Sequence, residues 1–390
     1  MSTFEVKVVR VRSVEPIEGA DLIEVATVGD YRSVVMKGDF KAGDLAVYIP
    51  EASVLPEWLI EKMGLTGKLA GTAKNRVKAI KLRGCVSQGL ILKLEIINHE
   101  KAVLEYLKAD CKQKMDRITV WEGDKVTSYL GIVKYEPIIP ANMRGDVYNA
   151  GTDITVNFDI ENVKKFPDVL EIGEEVVMTE KIHGTFCGVG ILPEKDWNDK
   201  HYDRKFVVFS KGQGAQGLCL TGSERSLRTV YFRALLGINM FDKLEEFVGW
   251  YASEMNVILE EPLFVLGEVY GGGIQSGFQY GSAEVKFRAF DICSGYLHGL
   301  RYYNQDQFEL FCDDYLHIDR VPVLYRGPFF KEVMLTFSQG VETVSGNQQH
   351  MREGVVVRPV QERYDDELGR VILKSLSDEY ILRKGGTEYN

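Results

Sequence analysis

The chain has 390 residues, 45% of them hydrophobic and 27% charged, with 47 basic against 57 acidic side chains and a formal net charge of -10. That length implies two or three domains, and that composition excludes wholesale disorder. The acidic balance confines any nucleic-acid surface to a local patch.

In chain order, Phe4–Val11, Leu22–Val28, Tyr31–Val35 and Leu45–Ile49 show β-branched alternation broken by Gly-Asp punctuation, the pattern of short strands in a small closed barrel. Residues 1–150 hold 22 basic and 20 acidic side chains, whereas 151–390 hold 25 and 37, so basic character gathers in the first part. It sharpens between Lys62 and Leu94, which carry eight basic residues and no Asp or Glu, with Gly64, Gly67, Gly71 and Gly84 interspersed. Such a run is either a solvated face or a track for a phosphate backbone. A helical segment is expected around His99–Lys114, followed by the proline-bearing stretch KYEPIIPANMRGD as a stiff linker. The expected domains are 1–140 and 150–390.

The second part reads as strands at Glu175–Lys181, Cys187–Leu192, Lys205–Ser210, Leu263–Tyr270, Val285–Ile292, Gly354–Arg358 and Val371–Leu376. Phe241, Leu244, Phe247, Val248 and Tyr251 recur at helical spacing, which predicts an amphipathic helix over Met240–Ser253. The expected class is α+β with a largely antiparallel sheet. No apolar run approaches the roughly 18 residues of a membrane helix, and the opening MSTFEVKVVR has no secretory pattern. The six cysteines lack C-x-x-C spacing, which speaks against zinc and suits a reducing, cytoplasmic setting.

Polar groups on these apolar strands carry the chemistry. In Glu180-Lys181-Ile182-His183-Gly184-Thr185, neighbouring side chains of the strand point to opposite faces, and Gly184 lets the chain turn away. A lysine there becomes a nucleophile only if burial or a neighbouring cation lowers its pKa from about 10.4. Lys211 follows Ser210 at a strand end, where a second cation reaches a phosphate. Glu268 interrupts an apolar strand, which is costly without a partner such as a ribose hydroxyl or a metal. Phe287 and Phe290 offer an aromatic face to a base, Glu353 suits a divalent cation, and Lys374 ends another apolar strand.

The order and spacing of these groups resemble the covalent nucleotidyltransferases, the polynucleotide ligases and mRNA capping enzymes. Lys181–Thr185 looks like the first motif in its RNA-ligase form, with His183 where DNA ligases and capping enzymes usually have Asp. Gly267-Glu268, Phe287–Ile292, Glu353-Gly354 and Lys374 look like the later motifs. The chain is most similar to ATP-dependent RNA ligases of the Deinococcus/Naegleria type, in which an N-terminal OB domain precedes the adenylation domain. Phe158-Asp-Ile-Glu-Asn162, Phe166-Pro-Asp-Val169 and REGVVVRP share in that likeness, and the start of the chain resembles tRNA-binding OB domains.

The resemblance implies an RNA ligase that joins 3′-hydroxyl and 5′-phosphate ends in RNA repair, with ATP and Mg²⁺ or Mn²⁺ as cofactors. Lys181 is then the adenylylated nucleophile, Glu353 the metal ligand and Lys374 the cation that neutralises the α-phosphate and depresses the Lys181 pKa. Glu180, His183, Gly184, Lys211, Glu268 and Phe287 form the nucleotide pocket, with Glu180 against the adenine and Phe287 stacked on it. Lys74, Arg76, Lys78, Lys81 and Arg83 become the RNA track. The expected partner is RNA, a nicked duplex or RNA–DNA hybrid among the options, with no membrane and no obligate protein. A DNA ligase, a capping guanylyltransferase and a catalytically inactive nucleic-acid-binding protein are the alternatives. Two positions depart from the pattern. Lys374 lacks a second lysine two residues away, leaving Arg370 or Lys384 to supply a contact, and Phe186 stands where some RNA ligases have Asn.

Overall fold

The computed structural model describes residues 4–99, 119–136, 138–196, 205–255 and 258–383. The helix expected around His99–Lys114 lies, apart from His99, outside these residues, as does Lys384. The chain forms two compact units. The first runs to Glu136 and also takes in Val163–Pro167; the second comprises the chain from there to Asn162 and from Asp168 onward.

The first unit is built of short antiparallel strands. Lys7–Arg10, Leu45–Ile49 and Leu90–Lys93 form one sheet, with Leu45–Ile49 in the middle. Ser13–Pro16, Ile23–Val28 and Tyr31–Met36 form a second as a meander. Alternation along Leu45–Ile49 explains its place, since Ala46 and Tyr48 join one apolar cluster while Val47 and Ile49 join another. A strand buried on both faces must be apolar throughout, as this one is. Most of the basic track lies in loops and on the hairpin of Ile80–Leu82 with Cys85–Ser87. Lys74, Lys81 and Arg83 are exposed, whereas Lys78 and Arg76 are half-buried, the Arg76 guanidinium resting 4.2 Å from the centre of the Tyr135 ring.

The second unit contains two five-stranded sheets. One runs in the order Glu161–Asn162, Leu373–Leu376, Gly354–Pro359, Glu175–Glu180, Val323–Pro328, and is antiparallel except for its first pair. The other runs Phe206–Ser210, Thr185–Ile191, Leu263–Gly271, Val285–Ser294, Arg301–Tyr302, antiparallel throughout. The fold class is therefore α+β with mostly antiparallel sheets. One face of the second sheet packs under helices Val230–Leu236 and Met240–Met255, with Val189, Val265, Val269 and Phe287 in that core. The opposite face carries Phe186, Phe264 and Leu266, which cluster with Ile372 and Val356 of the first sheet's segments. Met240–Met255 buries Met240 and Leu244 fully, and Phe241, Phe247 and Val248 pack against the same core at the spacing the sequence shows.

Candidate active site

The chain passes from one sheet of the second unit to the other through Lys181-Ile182-His183-Gly184. The Lys181 N–H donates to the Gly354 carbonyl at 3.0 Å, holding the start of the crossing against the first sheet. The Gly184 N–H donates to Glu268 Oε1 at 3.0 Å, holding its end against the second. A Cβ on Gly184 would stand 2.2 Å from the Val269 carbonyl oxygen, so only glycine fits here.

Three carboxylates and three lysines converge on this crossing. Lys181 Nζ lies 2.9 Å from Glu353 Oε1. Lys211, first residue of the short helix Lys211–Ala215 capped by Ser210 and Gln213, places Nζ 2.9 Å from Asp159 Oδ1. Lys374 pairs with Val356 in the adjoining strand, half-buried and with no direct hydrogen-bond or ion-pair partner among the described residues. Glu353 is 5% exposed, and its Oε2 has no hydrogen-bond partner, with His183 Nδ1 3.5 Å away.

Burial and these charges set the proton affinities. Burial pushes Glu268 up to about 8, with the Glu353 charge adding to the effect and Lys181 opposing it. Burial also brings Lys374 down to about 8, assisted by Lys181 and Lys211 against the pull of Asp159. Burial acts to lower Lys181 too, but the charges of Glu353 and Glu268 outweigh it and raise the lysine above its ordinary value. Burial works to raise Glu353, yet Lys181 and His183 hold it below the usual carboxylate range. Among the protein's own charges, the depression expected at Lys181 falls on Lys374 instead, because Lys181 has a carboxylate in contact and Lys374 has none.

Glu180, 1% exposed, turns its carboxylate away from Lys181, accepting from the Thr343 N–H at 2.8 Å and hydroxyl at 2.6 Å, with Arg352 Nε at 3.7 Å. Phe287 is a correction to the sequence expectation. It pairs with Val269 rather than with Glu268, whose partner is Arg288, so its ring belongs to the helix-backed face and is 2% exposed in that core. A Cβ on Gly267 would meet the Phe287 ring at 2.3 Å, which shows how tightly the ring is enclosed. The aromatic on the other face is Phe290, half-buried, with its ring 5.1 Å from Phe158 and 6.0 Å from Phe186. Arg370 is no substitute for a missing lysine, being bound by Asp291 and Glu362 and stacked 3.7 Å from the Tyr302 ring centre.

The model of the RNA ligase family matches residues 174–376, just over half of the chain and all of the converging lysines and carboxylates except Asp159. The chain belongs to the RNA ligase family. An OB-fold domain model matches residues 5–94 of the ligase. Its fold is similar to that of Naegleria gruberi RNA ligase. A mutant of that protein described as apo aligns with TM-score 0.72 and 22% identity over 97% of each chain. Its form with PPi gives 0.72 and 22%, covering 97% of the ligase and 98% of that chain, and a mutant with ATP and Mn gives 0.71 and 22% over 96% and 98%. No curated protein matches the ligase.

Two residues of the ligase site escape a reading of motifs. Asp159 sits 52 positions from the lysine it binds, so the folded chain and not the sequence spacing brings them together. Tyr380, on the final helix Asp378–Leu382, reaches His183 Nδ1 with its hydroxyl at 3.2 Å. Among the described residues no group of three His, Cys, Asp or Glu could hold a metal. One buried carboxylate oxygen without a hydrogen bond, as at Glu353, nevertheless fits a hard divalent cation that keeps water and phosphate oxygens as its remaining ligands.

Proposed function

We propose that the ligase seals RNA through a covalent adenylate on Lys181, with ATP as the donor. Lys181 gives up its ammonium proton to water, and the neutral Nζ attacks the α-phosphorus, forming a P–N bond as the bond to pyrophosphate breaks. The 5′-phosphate of an RNA end then attacks the lysyl-AMP phosphorus and frees the lysine, and a 3′-hydroxyl displaces AMP to complete the phosphodiester. The reading is carried by the position of Lys181, fixed between two sheets with Glu353 in contact and the cations Lys211 and Lys374 in the same cleft.

Each residue has a physical part. Lys374 and Lys211 balance phosphate charge, and Lys374 is ready to do so because it has no carboxylate in contact. Glu268, protonated at neutral pH, can donate to a ribose oxygen as well as accept from Gly184. Phe290 takes the stacking role on the base. Glu353 would hold a divalent cation, Mg²⁺ or Mn²⁺, which when bound polarises the phosphate. The exposed Lys74, Lys81 and Arg83, with Arg76 and Lys78, supply the phosphate-backbone track on the OB unit. We infer a role in RNA repair in the cytoplasm; the five described cysteines are free thiols, which supports a reducing setting.

The test is incubation with α-labelled ATP or GTP and Mg²⁺ or Mn²⁺, reading label retained on the denatured chain. ATP labels the wild type, and Lys181→Ala abolishes it. Label from GTP, or none in folded protein free of bound AMP, overturns the reading.

A further inference from the structure

The hairpin of Ile80–Leu82 with Cys85–Ser87 is fixed at its root and exposed beyond it. One carboxylate binds both arms at the root. The Ala79 N–H donates to Glu51 Oε1 at 2.9 Å, and the Gln88 side-chain amide donates to Glu51 Oε2 at 3.0 Å. The returning arm is also tied to the strand Tyr31–Met36: the Val34 N–H donates to Ser87 Oγ at 2.9 Å, and the Ser33 hydroxyl donates to the Gln88 carbonyl at 2.7 Å. Past these anchors Ile80, Lys81, Leu82, Arg83 and Gly84 are all exposed. Alternation puts Ile80 and Leu82 on one face of the ribbon and Lys81 on the other. Ile80 is 49% exposed and Leu82 38%, and two aliphatic side chains side by side on an open two-stranded ribbon are a liability unless something covers them. The tip is also unusual. Arg83 and Gly84 connect the strands with φ of 46° and 84°, a turn that sequences make readily with Asn or Asp before the glycine. Arginine enters that backbone region only at a conformational cost, and here the cost places a guanidinium at the end of the hairpin.

We propose that this hairpin is a wedge for duplex RNA: Ile80 and Leu82 press into the base stack where a strand is broken, while Lys81 and Arg83 hold the flanking phosphates. Charge selects the occupant. No Asp or Glu occurs from Lys62 to Leu94, so the apolar face is framed by Lys74, Lys81 and Arg83, which suit a polyanion and repel the same hairpin of a second copy. Side-chain type selects the form of nucleic acid. Single strands are held by aromatic rings under the bases, and residues 80–87 contain none. Aliphatic side chains act as wedges between base pairs, and unstacking a continuous helix opposes their entry. At a strand break the stacking is already interrupted on one side, so the same insertion costs less there. The anchored root keeps the ribbon from folding back when it is pressed against the stack. This rests on the proposed function, which makes RNA the partner of the basic track.

The test uses the full chain without ATP and two fluorescently labelled RNA duplexes, one with a single 3′-hydroxyl/5′-phosphate nick and one continuous. Anisotropy titrations over a range of salt give affinity and its salt slope for each. Ile80→Ser with Leu82→Ser weakens binding to the nicked duplex about tenfold at every salt concentration, leaves the salt slope unchanged, and alters binding to the continuous duplex by less than about twofold. Lys81→Ala with Arg83→Ala does the converse, lowering the slope by roughly 1.8 on both duplexes. A 2-aminopurine placed beside the nick brightens when the wild type binds and stays dark with the serine variant, reporting unstacking directly. Lysyl-AMP formation in the serine variant equals that of the wild type and certifies its fold. Equal losses on the two duplexes, an unchanged affinity for the nick, or a wild type that self-associates through Ile80 and Leu82 in sedimentation overturns the wedge. A wild type that binds neither duplex overturns the RNA track along with it. A wild type that shows the wedge behaviour yet forms no lysyl-AMP refutes the proposed chemistry alone.

Discussion

Replacing Glu268 by Gln should stabilise the protein while damaging its chemistry, and the pH dependence of that gain is calculable. Glu268 binds its proton with a pKa of about 8 in the folded chain against an ordinary 4.5. The folded value lies above the unfolded one, so folding is most favoured below about pH 4.5 and loses stability as pH climbs toward 8. From 4.5 to 7 is 2.5 units at 1.36 kcal/mol each, so the carboxyl withholds about 3 kcal/mol at pH 7. Glutamine is neutral at every pH, and its amide oxygen can still accept from the Gly184 N–H. Urea unfolding followed by fluorescence should show the variant equal to wild type near pH 4. It should be more stable by about 3 kcal/mol at pH 7, and by somewhat more above pH 8. Lysyl-AMP formation should fall, because a side chain that opposes folding is retained for its work on the nucleotide. Parallel stability curves for the two proteins across this range would refute the assigned proton and the charge balance built on it.

The two phenylalanines of the Val285–Ser294 strand should separate cleanly. Phe287→Ala should cost about 3–5 kcal/mol of stability in urea unfolding. Phe290→Ala should weaken ATP binding by about tenfold in calorimetry, the loss of one stacking contact. Lys81→Ala with Arg83→Ala should lower the slope of log affinity against log salt for single-stranded RNA by roughly 1.5. Lysyl-AMP formation in that variant should match wild type, since neither residue belongs to the lysine cluster. Gly184→Ala should reduce adenylylation about 100-fold or more in protein with a native circular-dichroism spectrum, because its Cβ cannot pass the Val269 carbonyl.

Much of the fold is legible in the sequence. Strands such as Leu45–Ile49 and Leu263–Gly271 declare themselves by continuous apolar runs, and Glu268 stands out because a carboxylate inside one needs a reason. Phe287 shows where such reading stops. Alternation puts Phe287 and Phe290 on opposite faces, but which of the two shares a face with Glu268 depends on the pairing of Glu268 with Arg288 and of Val269 with Phe287, which the sequence does not show. Helix Val230–Leu236 is equally silent, since five of its seven residues are buried and only Arg233 and Leu236 are exposed, one of them apolar, so the short segment shows no clear amphipathic stripe. Asp159 and Tyr380 act across 52 and 197 residues, separations that no local pattern encodes. The carboxylate beside Lys181 is illegible for a related reason: a lysine's own neighbours in sequence say nothing of the Glu353 that reaches it from the start of another strand.

The five residues Val163–Pro167 give the two units an unusual genealogy. They belong to the first unit, where the Lys164 carbonyl accepts from the Asp30 N–H at 2.8 Å and the Lys164 ammonium binds Gln88. A Cβ on Gly29 would sit 2.5 Å from that carbonyl, so glycine at 29 is matched to a segment more than a hundred positions away. The polypeptide consequently changes unit three times, not once. A single recombination point between Glu136 and Asn162 would separate the first unit from a turn that bonds to it and leave the adenylation unit carrying a foreign segment. Gene fusion at that joint therefore cannot exchange the barrel as a cassette, and the pair is constrained to be inherited together.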